Sequence, residues 1–552
     1  MKTDSRVFRD IGIWCLLLIC VCGWLGFFTD GFFDNFLGHP YGDMPDHVWG
    51  NEWFAHSLRA GRWPWWVEHN YFPDGGVLWH IDPLGGFVRR LLLFIPAQWG
   101  WNLYLAGLVW LFSVTVYHWA KDSGLTIVEA LGLALLAIVN PYLNGLIHSG
   151  LTEYMGLGFG VLLLRSLGDR CYWKAGIWLM VLGCQSFVVG LIGVLYVSIV
   201  LSLEEGIGRS SWKYWFRVAF PSVLFVLPWG WLCWQTLQHP DTAFQMVEAP
   251  GWNFRMLPTV DIFGYFPIGD WVHPDTRTMN PGIVQNHSLG WGWWVLLCYG
   301  LYKTWQEKAL NSMRGIGIFS LLALGPRFSF LRWMPLGGWV LLPMALLYVP
   351  YSPFRWIHHP YHMVMFVWIG TVPLVIRYLS SAPKWLWGLA FSLTGLETKS
   401  GSVPYPLVRT DFIEDVSLEG ARLDFPPDQS TANRQYLIQQ LRHGESIAYG
   451  VNRWLPDSVW KDAGVQRWVQ LLDDPIRRTQ NRDQPPQRLR FTNTTGKQQL
   501  DTLGFSWLVV HLNFLSDSEE QRLYPQLQRE LGAPVIQSDT VWVYSVLPEP
   551  KL

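Results

Sequence analysis

The sequence predicts a mainly α-helical polytopic membrane protein, with about eleven transmembrane helices and a small soluble α/β domain at the C-terminus. Three observations predict it. Half of the 552 residues are hydrophobic and 15% are charged, where a soluble protein carries about 25%. The deficit is uneven: residues 1–399 read as apolar runs between short polar loops, and residues 400–552 are ordinary in composition. There are also 36 tryptophans, a residue that favours the membrane–water interface because its ring is apolar and its N–H stays wet. Trp63, Trp65, Trp66, Trp99 and Trp101 flank apolar runs as interface anchors would.

The chain opens with Lys2, Arg6 and Arg9, then an apolar run at 11–28. No small-x-small cleavage site follows, so the run reads as a first helix with its basic flank in the cytoplasm. The polar segment 29–100 is then extracytoplasmic. Further apolar runs fall at 102–119, 124–140, 153–167, 173–187, 188–203, 216–235, 288–303, 313–325, 362–378 and 384–396. Each predicted inside loop contains Lys or Arg, and the predicted outside loop 140–154 contains neither. An odd number of spans places the C-terminal domain outside. The run 173–203 is broken at Gln185–Ser186; read as one bent helix, it would reverse that parity. Residues 331–350 are apolar but interrupted by Pro and Gly, as a re-entrant segment would be.

In the C-terminal domain the patterning predicts strands at 423–428, 507–512, 535–536 and 541–546, an amphipathic helix at 516–531, and a polar surface loop at 473–491. The seven cysteines all lie in or beside apolar runs before residue 300, so this domain has no disulfide. A net charge of −1 without a basic stripe excludes a nucleic-acid partner. No GxxxxGK[ST], GxGxxG, GxSxG or HExxH signature is present, which removes support for nucleotide hydrolysis and serine hydrolase chemistry.

The first outside loop is the most informative segment. Asp43 and Asp46 come soon after the first helix; Pro45 fits the first turn of a new helix, and Gly61 its end. On that helix Glu52, His56 and Arg59 share one face, and the pairs Trp49–Trp53 and Phe54–Leu58 form an apolar face fit to rest on the membrane. Both aspartates sit at the positive end of its dipole, where the ionised carboxylate is favoured. Such a carboxylate serves as a general base, as a ligand for a divalent cation, or simply as a helix cap. Asp82 precedes a proline, where a turn is the plain reading. Glu153 and His148 fall near the outer end of a predicted span. Arg355 reads either as an interfacial arginine snorkelling to headgroups or as a phosphate ligand.

Several of these segments resemble GT-C-type membrane glycosyltransferases, in particular uncharacterised bacterial members. Those carrying the resemblance are Gly42–Asp43, Gly61–Arg62–Trp63–Pro64, Tyr71–Phe72–Pro73–Asp74–Gly75, Asn140–Pro141–Tyr142 with His148, Asp261–Ile262–Phe263 through His273–Pro274, and Pro353–Phe354–Arg355. Together they are spread over most of the chain. The resemblance implies sugar transfer from a polyprenyl-phosphate-linked donor to an acceptor on the outer face of a bacterial plasma membrane. Asp43 would be the base, with Asp46 the second choice. Arg355 would meet the donor phosphate. His148, Glu153, Asp82, His358 and His362 would complete the substrate site, and a divalent cation (Mg or Mn) would fit beside the carboxylates. The second Arg of the family's late motif is not evident; His358, His359 and His362 occupy its neighbourhood, and imidazole would bind phosphate more weakly and with pH dependence. Two other classes compete: a lipid or polysaccharide transporter, which predicts inverted repeats and charges at mid-membrane, and a non-catalytic membrane assembly protein.

Overall fold

The computed structural model describes residues 2–28, 32–39, 42–62, 64, 66–70, 72–77, 82–204, 213–221, 223, 227, 290–308, 311–323, 363–401, 407–409, 418–427, 432–449, 455–473 and 496–547. The first helix, α1 (Lys2–Trp24), lies antiparallel to α4 (Ala97–Asp122). Trp14 Nε1 donates to His118 Nε2 (2.7 Å), and Trp99 Nε1 donates to the Phe33 carbonyl (2.7 Å) at the other end. Helices fall on every predicted apolar run that is described. Among the described residues two segments are long and apolar enough to cross a membrane, Ala97–Asp122 and Ile127–Ser149, and Phe187–Leu203 and Val364–Leu379 are shorter apolar helices. The helical exteriors expose Ile11, Leu16, Ile19, Leu103, Trp173 and Ile177. An apolar outer surface of this extent fits a lipid surround better than water.

One expectation about loops changes, and one alternative is closed. Residues 140–154, expected as an outside loop, are mostly helical. After α5 (Ile127–Ile138), α6 runs from Pro141 to Ser149. Asn140 caps it, accepting from the Tyr142 and Leu143 N–H groups, and Pro141 supplies the preset first-turn backbone, so Asn-Pro starts a helix here. Between α8 (Tyr172–Gln185) and α9 (Phe187–Glu204), Ser186 is extended. A Cβ on Gly190 would meet Gly183, and one on Gly193 would meet Leu179. The two helices therefore run back along each other, and one bent helix is ruled out.

The C-terminal domain carries a four-stranded sheet in the order β5-β6-β8-β7: β5 is Arg422–Phe425, β6 Trp507–His511, β7 Ile536–Gln537 and β8 Val541–Ser545. β5 and β6 are parallel, and β8 is antiparallel to both β6 and β7. One face packs Leu423, Phe425, Leu508 and Val510 against helices, and the other gathers Val509, Val541 and Val543. The helix Asp517–Leu531 begins in a capping box between Ser516 and Glu519.

This second core also takes in Trp49 and Val67 from the first loop. Trp49 lies on α2 (Met44–Arg59). Its Nε1 donates to Gln440 Oε1 (2.9 Å), and the Gln440 amide nitrogen donates to the carbonyls of His69 (2.8 Å) and Glu445 (2.9 Å). The Ile447 N–H reaches the His69 carbonyl (2.9 Å), and the Phe72 N–H reaches that of Ile447 (3.1 Å). The loop thus extends the sheet beyond β5, where the Arg422 N–H meets the Ser446 carbonyl. Elsewhere in the chain, β1 (Asn35–Leu37) pairs antiparallel with β4 (Leu407–Arg409), and β2 (Trp66–Val67) with β3 (Gly76–Val77). These contacts place the first loop and the C-terminal domain on the same side of the helical body. They also correct the expected membrane face of α2. Trp49 and Trp53, stacked 5.8 Å apart, pack toward the C-terminal domain. Phe54 is buried against α3 (Pro83–Leu91), where a Cβ on Gly86 would overlap its ring. Protein surface, absent from a reading of the isolated helix, covers that face.

Candidate active site

The site is built where the start of α2 meets the end of α6. Pro45 in the first turn fixes the helical start, and Asp43 immediately precedes the helix. Its side chain makes no cap hydrogen bond, so the plain capping reading of Asp43 does not hold; the carboxylate is half-buried. Its backbone is held from both sides. The Asp43 N–H donates to the Ser149 carbonyl (2.8 Å), and its own carbonyl accepts from the His47 N–H (3.1 Å). The His39 N–H donates to the His148 carbonyl (2.7 Å), and the two imidazoles face each other at 4.9 Å. Burial and the neighbouring His148 hold His39 down, at about 4. Gly150 ends α6 at φ +75°, and a Cβ there would stand 2.3 Å from the Met44 Cα. Only glycine allows both that turn and that approach.

Below Asp43 lies a buried polar network. Glu153 Oε2 faces His47 Nε2 at 3.0 Å with both side chains shielded from solvent. Thr152 Oγ1 donates to Asp82 Oδ2 (2.6 Å) and touches His47 Nδ1 (3.3 Å). Asp82 also accepts from the Gly85 N–H (2.9 Å) and from the Tyr104 hydroxyl (2.9 Å to Oδ2). Gln185, at the α8–α9 reversal, donates to the Thr152 carbonyl (2.6 Å). Five elements therefore meet at one polar centre inside an apolar body. Burial pushes His47 down, but Glu153, helped by Asp82 and Asp43, outweighs it and lifts the imidazole to about 9. Burial raises Asp82 to about 6, against the hydrogen bonds from Thr152 and Gly85 and the charge on His47. At neutral pH this centre holds a charged imidazolium.

Of the sequence-predicted residues, the structure brings together Asp43, Asp46, Asp82, His148 and Glu153. Asp46 is buried in the first turn of α2, leaving Asp43 as the more accessible carboxylate. Asp82 is the N-cap of α3, as its turn reading expected, and is also a member of the network. Glu153 lies in a 3-10 turn between α6 and α7 (Leu157–Gly168). Arg355, His358 and His362 lie outside the described residues, as do residues 261–263 and 273–274. Sequence reasoning missed His47, Thr152 and Tyr104. The first two stand directly beside residues it chose, Asp46 and Glu153; Tyr104 was hidden inside an apolar span. It also missed the buried Arg89–Glu52 pair, in which Arg89 donates to Glu52 and to the Leu92 carbonyl. Among the described residues no three His, Cys, Asp or Glu side chains converge to hold a metal ion.

No protein family and no curated protein matches the chain. Among solved structures it is similar to the oligosaccharyltransferase AglB of Archaeoglobus fulgidus, in complex with an inhibitory peptide and a dolichol-phosphate. The TM-score is 0.45 at 9% identity, over 96% of this chain and 72% of that one. The apo form of the Archaeoglobus fulgidus enzyme gives 0.43 at 10% identity, over 91% and 70%. The mycobacterial arabinofuranosyltransferase AftD gives 0.48 at 14% identity, over 98% of this chain and 41% of that chain. These structures are GT-C-type membrane glycosyltransferases. Likenesses of this order set no activity, which has to come from the site.

Proposed function

We propose that the chain is a membrane glycosyltransferase that moves a sugar from a polyprenyl-phosphate-linked donor to an acceptor at the extracytoplasmic face. One observation carries the reading: a half-buried carboxylate that does not cap its own helix, clamped through its backbone, above a buried ion-paired network. That is a preorganised base, held in place by its surroundings. In the proposed step Asp43 takes the proton of the acceptor hydroxyl. The oxygen forms a bond to the anomeric carbon, and the carbon–oxygen bond to phosphate breaks, its electron pair leaving with the polyprenyl phosphate. His47, Glu153 and Asp82 position α2 from beneath. Arg355, with His358 and His362 nearby in sequence, would meet the phosphate, because a planar guanidinium matches its oxygens. A divalent cation beside Asp43 belongs to the proposal as an expectation, and no step is routed through it.

The test uses membranes containing the protein and a radiolabelled polyprenyl-phosphate sugar. Transfer to endogenous acceptor should be lost in Asp43→Ala and retained in Asp43→Glu at a reduced rate, with both variants unfolding at the wild-type temperature. Undiminished transfer by Asp43→Ala would remove Asp43 from the reaction.

A further inference from the structure

The exposed apolar side chains of α3 are not explained by the transferase chemistry. Phe87 is 49% exposed, Leu91 75% and, just beyond the helix, Phe94 80%. Phe87, Leu91 and Phe94 follow the spacing of one helical face, and Arg90 is exposed among them. The opposite face is packed without a gap to spare: a Cβ on Gly85 would strike Asn51, and one on Gly86 would strike Phe54. Arg89 is buried on that inner side with Glu52, and Asp82 caps the helix there. The helix is thus sharply two-faced, with the polar site on one side and bare aromatic and aliphatic surface on the other.

Its place in the chain says what covers the bare face. α3 is separated from α4, a helix apolar and long enough to cross a membrane, by only residues 92–96. At that end of α4 the rings of Phe33 and Trp99 meet at 4.8 Å, and Phe27, Phe32 and Phe33 form a continuous aromatic cluster at the exit of α1. Such a girdle marks the height of a bilayer interface, and the apolar exterior of α4 continues from it through Leu103. A cation beside exposed aromatics suits the layer where acyl chains give way to phosphates.

We propose that α3 seats on the outer surface of the phospholipid bilayer, with Phe87, Leu91 and Phe94 among the acyl chains and Arg90 at the phosphates. The membrane-surface helix of the first loop is then α3 and not α2. Because Asp82 caps this same helix and Arg89 ties it to α2, seating α3 sets the depth of the carboxylate network relative to the lipid phosphates. The proposal rests on the membrane placement within the functional reading, and not on sugar transfer.

The test places the photoreactive residue p-benzoyl-phenylalanine, singly, at Phe87, Leu91, Phe94, Leu103 and Asp517 in the full chain. Each variant is reconstituted in nanodiscs of phosphatidylethanolamine and phosphatidylglycerol, irradiated, and analysed by mass spectrometry for lipid adducts. Leu103 reports the membrane face of α4, and Asp517 reports the aqueous C-terminal domain. The expected result is lipid adducts at 87, 91 and 94 at a yield within about twofold of that at 103, and none at 517. Adducts at 103 but only unreacted ketone at 87, 91 and 94 would overturn the seating of α3 while leaving the membrane reading intact. Protein cross-links at 87, 91 and 94 would overturn it too, by showing a protein cover. Absence of adducts at 103 as well would overturn both.

Discussion

Replacing Glu153 by Gln removes the main charge that keeps His47 protonated, and the structure sets the size of the effect. The pair is 3.0 Å apart and buried, so the partner carboxylate is barely screened by solvent. His47 stands at about 9, against 6.5 for a free imidazole. At roughly 1.4 kcal/mol per pH unit, that interval amounts to about 3 kcal/mol of stability. A raised histidine contributes this fully below pH 6.5, because the folded chain then holds a proton tightly that the unfolded chain also binds. The contribution falls as pH rises and is gone above about 9, where both forms are neutral. At pH 7 most of it should remain. The variant should therefore unfold several degrees below wild type at pH 6, a little less far below at pH 7, and close to it at pH 10. Intrinsic tryptophan fluorescence during thermal unfolding in detergent reads this directly. A deficit of equal size at pH 6 and pH 10 would show that the contact acts through packing, and the ion-pair reasoning would be wrong.

Further outcomes follow from other contacts. Gly150→Ala forces an alanine to φ +75° and drives its Cβ into the Met44 backbone; we expect a loss above about 1 kcal/mol and a larger fractional loss of transfer than of fold, read by comparing activity with unfolding temperature. Gln440→Leu strands the buried Trp49 N–H, at a cost of about 1–3 kcal/mol, and should make the C-terminal domain cleavable by added protease while the helical body persists. In that domain Asp424 meets His511 at 2.9 Å and Arg422 at 3.4 Å in full burial. Burial holds His511 below its ordinary value, and Arg422, overcoming the upward push of burial, holds Asp424 below its own. Both groups favour the fold above their unfolded values and lose that contribution as pH falls, so protease sensitivity of the domain should rise below about pH 6.5. Asp424→Asn should reproduce the sensitivity at pH 7.5 by leaving Arg422 buried and unpaired, at a cost of about 3–5 kcal/mol.

Much of this was legible in the sequence, for identifiable reasons. Strands such as 507–511 and the helix after Ser516 announce themselves by local pattern and capping, and both formed within a residue or two of expectation. Asp43, Asp82 and Glu153 stood out by their places at a helix start, before a proline and at the end of an apolar run, and they do converge. What the sequence hid was set by distant partners. The Trp49–Trp53 face of α2 reads as a membrane face because nothing nearby in sequence announces that residue 440 will cover it. His47 looks like any loop histidine until Thr152 and Glu153 arrive from more than a hundred residues away. The 140–154 segment was misread because short polar residues suggest a loop, whereas Asn-Pro at its start is a helix entry.

The sheet rung contributed by residues 69–72 has a consequence for synthesis. Those residues emerge early, yet their partner, Ile447, is made only after nearly all the hydrophobic segments have been threaded. Through that interval the first loop holds unpaired backbone groups and an uncovered Trp49. It has to wait for its cover, and the later domain is what completes the first loop's fold. Expressed alone, residues 400–552 would expose the matching edge at Ile447, so each half carries an open seam that the other closes.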